Sequence, residues 1–256
     1  MRTTSTLPQG LKVCGVVPAR LGSTRLPRKV LRDVAGKPML QWVLEAANHP
    51  DLLANLVVAT DAEEVRLFCE GAGWRALMTS PDHPSGTDRL WEVAQQIAAD
   101  VYVNIQGDEP LLRREHLEAL LAPFADANVE VTTLATPMPR EEAADPNRVK
   151  VVVARLSAAG GRALYFSRAL IPYDREDSPG GPILKHLGFY AYRRAVLELF
   201  HRAKPSALES RERLEQLRLL ENGVAIHVAL TPYDTVGVDT EADLLRAEAI
   251  LRARGK

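Results

Sequence analysis

The stretch that decides the fold is Val13-Cys-Gly-Val-Val-Pro-Ala-Arg-Leu-Gly-Ser-Thr-Arg-Leu-Pro-Arg-Lys29, an apolar run followed directly by a polar loop. Residues 13–17 have the length and composition of a buried strand. The loop carries Arg20, Arg25 and Lys29 beside small residues that allow close backbone approach. Because ligands of open α/β sheets collect at the carboxyl ends of strands, this loop is predicted to bind a triphosphate. A solvated basic loop is the alternative, and the pattern is neither a dinucleotide fingerprint nor a P-loop.

Outward from this strand, apolar runs alternate with helix-like stretches through the first half of the chain. This rhythm predicts an α/β fold with a mostly parallel sheet and helices on its faces. Asp61 is a plausible N-cap for the second helix, and Thr87 for the third. The predicted strands are 56–59, 74–78 and 101–105, and the predicted helices begin near Pro38 and span 62–69, 87–98 and 115–124.

The rhythm changes in the second half. Strand-like runs at 130–135 and 148–153 precede an irregular stretch with no clear helix until Arg193. Spaced leucines among charges predict one amphipathic helix over 206–220, then a strand at 224–230 and a closing helix at 240–252. Since no linker composition interrupts the chain, we expect one domain over 1–256, with 130–200 as a smaller α+β region inserted in it.

Two carboxylates remote in sequence are candidate metal ligands. Asp108 lies in Gln106-Gly-Asp-Glu-Pro110 at the end of the fourth predicted strand, and Asp239 precedes the closing helix. Mg²⁺ takes one or two carboxylates together with phosphate oxygens and water, so the pair could converge on one ion. The alternatives are a turn at Asp108 and a helix cap at Asp239 or Thr240.

Two further segments carry polar groups that could contact a ligand. The loop Asp82-His-Pro-Ser-Gly-Thr-Asp-Arg89 leads into a helix whose N-terminus would suit an anion or a base edge. The stretch His186-Leu-Gly-Phe-Tyr190 is strand-like and places His186 and Tyr190 on one face. A structural histidine is the simpler interpretation of His186.

Composition excludes several classes of protein. The net charge is -1, which offers no general attraction to nucleic acid or to an anionic membrane. The two cysteines, Cys14 and Cys69, sit in apolar stretches without metal-site spacing, so we expect buried free thiols. The N-terminus lacks a signal-peptide pattern and no run reaches the length of a membrane span, so a cytoplasmic protein is expected.

The motifs together resemble one family. The segments VPARLGSTRLPRKVL, ATD, DHPSGTDRL, VNIQGDEP, ALYFSRALIPYDR, KHLGFYAYRR, LEQLRLL and GVDTEADL occur in the order found in the 3-deoxy-manno-octulosonate cytidylyltransferases, from about Val13 to about Asp243. One position departs from the family pattern, because Arg28 stands where the family usually has glycine between proline and lysine.

The resemblance implies a Rossmann-like sheet of the nucleotidyltransferase type with an inserted sugar-binding and dimer-forming region. It implies the reaction of CTP with 3-deoxy-D-manno-octulosonate (Kdo) to give CMP-Kdo and pyrophosphate for lipopolysaccharide biosynthesis. It also implies a Mg²⁺ cofactor and a homodimer, for which Ile171, Tyr173 and Phe189 look like exposed apolar contacts. The rivals are a cytidylyltransferase for another acidic sugar, such as an acylneuraminate, and a non-catalytic nucleotide-binding subunit.

Family roles extend to matching residues of this chain. Arg20, Lys29, Asp108 and Asp239 would be catalytic, with Asp108 and Asp239 holding the metal. The nucleotide would contact Pro18, Ala19, Arg20, Arg25, Lys29, His83, Ser85, Gly86, Gln106 and Asp108. The sugar would contact Arg168, His186, Tyr190, Glu212 and Gln216, with the acidic residue open among Glu209, Glu212 and Glu215.

Overall fold

The structure is a computed structural model that describes residues 10–22, 26–175 and 181–254. Arg25, predicted to bind the nucleotide, lies outside the described residues. The strands are β1 (Val13–Pro18), β2 (Asp33–Val34), β3 (Lys37–Pro38), β4 (Asn55–Thr60), β5 (Ala76–Met78), β6 (Val101–Asn104), β7 (Val131–Met138), β8 (Lys150–Ser157), β9 (Gly160–Ser167), β10 (Ile183–Arg193) and β11 (Ile226–Leu230). The α-helices are α1 (Met39–Ala47), α2 (Glu63–Gly71), α3 (Gly86–Gln96), α4 (Arg114–Leu121), α5 (Arg194–Arg202), α6 (Ala207–Glu212), α7 (Gln216–Glu221) and α8 (Glu241–Arg254).

One large sheet organises the described part of the chain. Its strand order is β5-β4-β1-β6-β10-β7-β11-β9-β8, while β2 and β3 pair separately. The pairs β4–β5, β1–β4, β1–β6 and β7–β11 are parallel, whereas β10 is antiparallel to β6 and β7, and β9 is antiparallel to β11 and β8. All strands of this sheet except β9 and β10 therefore point the same way. The predicted α/β fold with a mostly parallel sheet is confirmed.

The core lies on both faces of this sheet. Val17 packs with residues of α1, α2 and α4, whereas its neighbour Val16 packs with residues of α3 and α5 on the other face. A strand buried on both sides needs apolar residues at every position, which explains the continuous run at the start of the chain. Cys14 and Cys69 are buried free thiols, as expected, and burial raises the pKa of Cys14 to about 12.

Three local predictions about helices were wrong. The single helix over 206–220 is broken at Arg213, whose φ of 56° is left-handed, and α6 and α7 lie on either side of it. Ala62, and not Asp61, occupies the N-cap position of α2, while Asp61 pairs with Arg89 at 3.1 Å. Ser85, and not Thr87, caps α3 by accepting a hydrogen bond from the backbone of Asp88. Asp61 and Thr87, which were predicted to cap these helices, instead contact residues distant in sequence, Arg89 and Glu215.

The stretch predicted as irregular contains β9 and most of β10, and only its segment 186–190 was predicted to be strand-like. Residues 130–200 supply β7 to β10 to the large sheet. Phe189, expected to be exposed, is 1% exposed and stacks on His116. This position was misjudged because β10 lies in the interior of the sheet, between β6 and β7. Tyr173, by contrast, is 85% exposed.

Within the described residues, no helix combines the length and the apolar character needed to cross a membrane.

Candidate active site

Two loops meet where β1 and β6 end. These strands are parallel neighbours, with Val16 opposite Asn104, so the segments that follow them emerge at the same edge. Gly107 lies against the end of β1, where an added Cβ would come within 2.8 Å of the carbonyl oxygen of Pro18. Only glycine allows this approach without a backbone shift. The contact fixes Asp108, the next residue, beside the loop after β1.

Lys29 joins the two predicted metal ligands. Its Nζ donates to Asp108 Oδ2 at 2.5 Å and to Asp239 Oδ1 at 2.9 Å. Burial disfavours the charged ammonium, but the two carboxylates outweigh burial and raise the pKa of Lys29. Residues from three distant parts of the chain thus converge on one point. No cluster of three or more His, Cys, Asp and Glu side chains accompanies them among the residues the structure describes.

Arg28, the residue before Lys29, has a left-handed backbone conformation. Arg28 has φ 57° and ψ 30°, which is the left-handed conformation, and a short 3-10 turn of Lys29–Leu31 follows it. Glycine adopts this conformation without the steric cost that Arg28 carries. Residue 28, where the resemblance predicts glycine, is therefore a position that glycine fits more readily than arginine. The guanidinium of Arg28 pairs with Glu64 on the surface.

Asp239 is positioned by the start of α8. Thr240 caps this helix, because its Oγ1 accepts from the backbone N–H of Asp243 at 3.2 Å, while Asp243 Oδ2 accepts from the Thr240 N–H at 2.9 Å. The capping role therefore falls to Thr240, and the Asp239 carboxylate turns toward Lys29. The Val238 N–H donates to the Asp108 carbonyl at 2.9 Å, which ties the two carboxylate loops together.

Two cavities flank this pair of carboxylates. The smaller, about 340 Å³, lies over the loop after β1, and the larger, about 790 Å³, lies over β10 and the start of α7. The residues that line both are Gly86, Gln106, Asp108, Glu215 and Asp239. The Asp108 and Asp239 carboxylates therefore lie at the junction of the two cavities.

The smaller cavity brings together most of the predicted nucleotide residues. Those that line it are Pro18, Arg20, Lys29, Ser85, Gly86, Gln106 and Asp108. Two predicted residues lie elsewhere. Ala19 is buried, and its backbone N–H donates to the Ala59 carbonyl at 2.9 Å. His83 contacts the Glu92 carboxylate and lines neither cavity. Sequence alone could not show that this imidazole already has a partner nine residues further along the chain.

The larger cavity gathers four of the five predicted sugar residues. Arg168, His186, Tyr190 and Gln216 line it, whereas Glu212 does not. The Glu212 carboxylate accepts from Ser167 Oγ at 2.6 Å and from the Arg168 N–H at 2.9 Å. It therefore contacts the backbone of a site residue without lining the cavity.

Among the three acidic residues left open by the sequence, Glu215 is the one that faces the cavities. Thr87 Oγ1 donates to its carboxylate at 2.9 Å, and burial raises its pKa. Glu209 instead forms an ion pair with the buried Arg218.

His186 lies in a mostly aromatic setting on the wall of the larger cavity. Its Nε2 is 2.9 Å from Thr133 Oγ1, and its ring packs edge-on against Phe166 and tilted against Tyr190, with centroids 5.0 and 5.3 Å away. Burial, helped by the charge of Lys185, lowers the pKa of His186 to about 3. The imidazole is therefore neutral near pH 7 and presents a hydrogen-bonding edge to the cavity without a charge.

Three buried polar atoms on the larger cavity have no hydrogen-bond partner among the described residues. They are Tyr190 Oη, Gln216 Nε2 and Glu109 Oε2. A buried polar group without a partner costs free energy, so such atoms mark a place where a polar ligand fits. Burial and the Asp108 charge raise the pKa of Glu109 to about 8. Glu109 was not among the residues predicted for the site, although it follows Asp108 in the motif Gln106-Gly-Asp-Glu-Pro110.

Comparison with known proteins shows the family. The sequence pattern described as "Cytidylyltransferase" matches residues 14–226. The chain is 58% identical to the 3-deoxy-manno-octulosonate cytidylyltransferase of Acidobacterium capsulatum, over 96% of this chain and 99% of the relative. It is 56% identical to the protein of the same name from Koribacter versatilis, over 95% of this chain and 92% of the relative.

Solved structures agree in fold. A CMP:2-keto-3-deoxy-manno-octonic acid synthetase complexed with CTP matches with a TM-score of 0.89 and 43% identity, over 95% of this chain and 99% of that one. A structure described as a glucose-1-phosphate thymidylyltransferase from Bacillus anthracis matches with a TM-score of 0.66 at 17% identity, which is a likeness of fold alone. The fold is that of a nucleotidyltransferase. The chain belongs to the cytidylyltransferase family, within the group of the 3-deoxy-manno-octulosonate cytidylyltransferases.

Proposed function

We propose that this enzyme transfers CMP from CTP to the anomeric hydroxyl of Kdo, giving CMP-Kdo and pyrophosphate. The observation that carries the proposal is the convergence of Lys29, Asp108 and Asp239 at the junction of the two cavities. A nucleotide in the smaller cavity and a sugar in the larger one would meet beside these charges. In such a transfer the hydroxyl attacks the α-phosphorus in line with departing pyrophosphate, so positioning and charge stabilisation supply the catalysis.

The smaller cavity suits a triphosphate. Arg20 and Lys29 line it and would offset phosphate charge, while Gly86, at the N-terminus of α3, brings backbone close to the ligand. Gln106 and Ser85 add polar groups for the base or ribose. We assign the nucleotide to this side, with His83 and Ala19 making no side-chain contact to it.

A Mg²⁺ ion fits the two carboxylates. Asp108 and Asp239 already direct one oxygen each toward a single cationic nitrogen, and carboxylate oxygens are the protein ligands that Mg²⁺ prefers. When bound, the ion would supply positive charge to the reacting phosphate and hydroxyl oxygens. Because Lys29 Nζ lies where the two oxygens converge, it would turn from the carboxylates to the phosphate oxygens when the ion binds.

The larger cavity suits a polyhydroxy acid. Arg168 offers a guanidinium for a carboxylate, whereas the neutral His186, Tyr190 Oη and Gln216 Nε2 offer groups for hydroxyls. Glu215, held by Thr87, can accept a hydrogen bond from a hydroxyl at the junction. A hexose 1-phosphate lacks the carboxylate that Arg168 would bind.

We also propose that the enzyme is a homodimer and acts in the cytoplasm, where CTP is made. Large apolar side chains are exposed on β9 and on the segment after it, where Leu164 is 51% exposed, Leu170 38% and Tyr173 85%. Exposed apolar side chains of this size can be covered by a second copy of the protein. Sedimentation should give a mass of about twice 28.2 kDa at micromolar concentration, and a monomer mass would contradict the dimer.

The substrate assignment is tested by pyrophosphate release with CTP, Mg²⁺ and a panel of sugars. We expect turnover with Kdo, at least about a hundredfold lower kcat/KM with N-acetylneuraminate, and none with glucose 1-phosphate. Preference for N-acetylneuraminate would make the enzyme a cytidylyltransferase for a different acid. Binding of CTP without turnover of any sugar would favour a nucleotide-binding subunit.

A further inference from the structure

Arg168 is held at its backbone and at its side chain. Its N–H donates to the Glu212 carboxylate at 2.9 Å, and its carbonyl accepts from Lys150 Nζ at 2.5 Å. Its Nε donates to the Glu212 carbonyl at 2.7 Å and its Nη1 to the Pro146 carbonyl at 3.0 Å, with a longer contact of 3.5 Å from Nη2 to the Arg213 carbonyl. The guanidinium has five N–H donors, so at least two remain for a ligand in the cavity.

Lys150 is an unusual residue behind this site. It is the first residue of β8, pairs in register with Ser167, and is 0% exposed. In the described part of the chain, both hydrogen-bond partners of its ammonium are backbone carbonyls, those of Asp145 at 3.1 Å and Arg168 at 2.5 Å. Burial lowers the pKa of Lys150, against the opposing charges of Asp145 and Glu212. A buried ammonium is costly, and an apolar residue would serve the packing of β8 more cheaply.

The two contacts of Lys150 converge on Arg168 by different routes. One fixes the carbonyl of Arg168 itself. The other fixes the carbonyl of Asp145, which immediately precedes Pro146, whose own carbonyl accepts from the Arg168 guanidinium. Glu212 acts through the Arg168 N–H and Ser167 Oγ. The guanidinium is thus held by two charged residues, the buried Lys150 and the partly buried Glu212, neither of which lines the cavity.

We propose that Lys150 and Glu212 are positioning residues that hold Arg168 in the orientation that binds the sugar carboxylate, an inference that rests on the proposed function. Lys150→Met should raise the KM for Kdo about tenfold, the scale of one weakened charge-assisted hydrogen bond, and leave the KM for CTP within about threefold. With the carboxamide analogue of Kdo, the same substitution should change the KM less than about twofold, because the group that Arg168 binds is absent.

A double-mutant cycle tests the route through Arg168. Added to Arg168→Ala, Lys150→Met should raise the KM for Kdo by no more than about twofold, because the guanidinium that Lys150 positions is already gone, although the backbone carbonyl that it contacts remains. A further tenfold rise in that background, or an equal loss with the carboxamide, would overturn the inference. The proposed function fails separately, if the wild-type enzyme releases no pyrophosphate in response to Kdo.

Glu212→Gln provides a second test should Lys150→Met fail to fold. It removes one acceptor behind Arg168 and should raise the KM for Kdo about threefold. The matched control is Glu209→Gln on the same helix, which weakens the ion pair with Arg218 and should lower thermal stability without changing the KM for Kdo. Equal KM values in the two glutamine variants would overturn the inference.

Discussion

His186 should make the protein more sensitive to acid, and His186→Gln should remove that sensitivity. In the folded protein burial holds the pKa of His186 at about 3, compared with 6.5 for an ordinary histidine. Between these two values the unfolded chain binds a proton that the folded protein does not. Stability therefore rises with pH through this window and is lost as the pH falls from about 6.5 toward 3.

The magnitude follows from the size of the window. From about pH 7.5 to about pH 5, a group that is neutral when folded and has an ordinary pKa when unfolded loses about 2 kcal/mol of stability. Glutamine keeps a polar group near Thr133 but does not titrate. The acid-induced loss in His186→Gln should therefore be about 2 kcal/mol smaller than in the wild type, whatever the absolute stability of the variant.

Urea unfolding at the two pH values measures this difference. If His186→Gln loses as much stability on acidification as the wild type does, the imidazole is not held neutral by burial, and the account of its environment is wrong.

Three further predictions concern other parts of the site. Arg28→Gly should raise the free energy of unfolding in urea by about 0.5 kcal/mol, because glycine removes the steric cost of the left-handed backbone, and this exceeds the entropy that glycine adds to the unfolded chain. Arg32→Gly should lower the free energy of unfolding, because Arg32 is extended and has no such cost to remove. Lys29→Ala should weaken CTP binding at least about tenfold more than CMP binding in calorimetry, because CMP lacks the β- and γ-phosphates; equal losses would show that Lys29 contacts neither of them. Glu215→Gln should raise the KM for Kdo about three- to tenfold, and an unchanged KM would place the sugar hydroxyls elsewhere.

The first half of the fold was predictable because its strands are buried on both faces. In β1 and β6 nearly every residue is apolar, and such runs bounded by polar loops are distinctive in sequence. The carboxyl ends of these strands then place Asp108 and the loop after β1 together by topology alone. Asp239 could be proposed as a partner, but only the capping of α8 by Thr240 shows which residue is directed to the site.

The sugar side was harder to predict because it depends on contacts between distant residues. The leucine spacing over 206–220 fits one helix, and the break at Arg213 is a single left-handed residue that no periodicity reveals. That break turns Glu212 toward Ser167 and leaves Glu215 facing the cavities. Lys150 could not be found at all, since a lysine at the start of a strand normally points to solvent.

Asp108 and Asp239 together should support the transfer at the junction of the two cavities. The most direct test is kcat for Asp108→Asn and for Asp239→Asn at saturating Mg²⁺, with CTP binding measured by calorimetry and Asp51→Asn, in a surface ion pair, as the control. We predict that each active-site variant loses at least about a hundredfold in kcat, because a carboxylate that holds the metal acts mainly on the transition state, while CTP still binds and the control keeps its activity. Near-normal turnover by either active-site variant would contradict the two-carboxylate site.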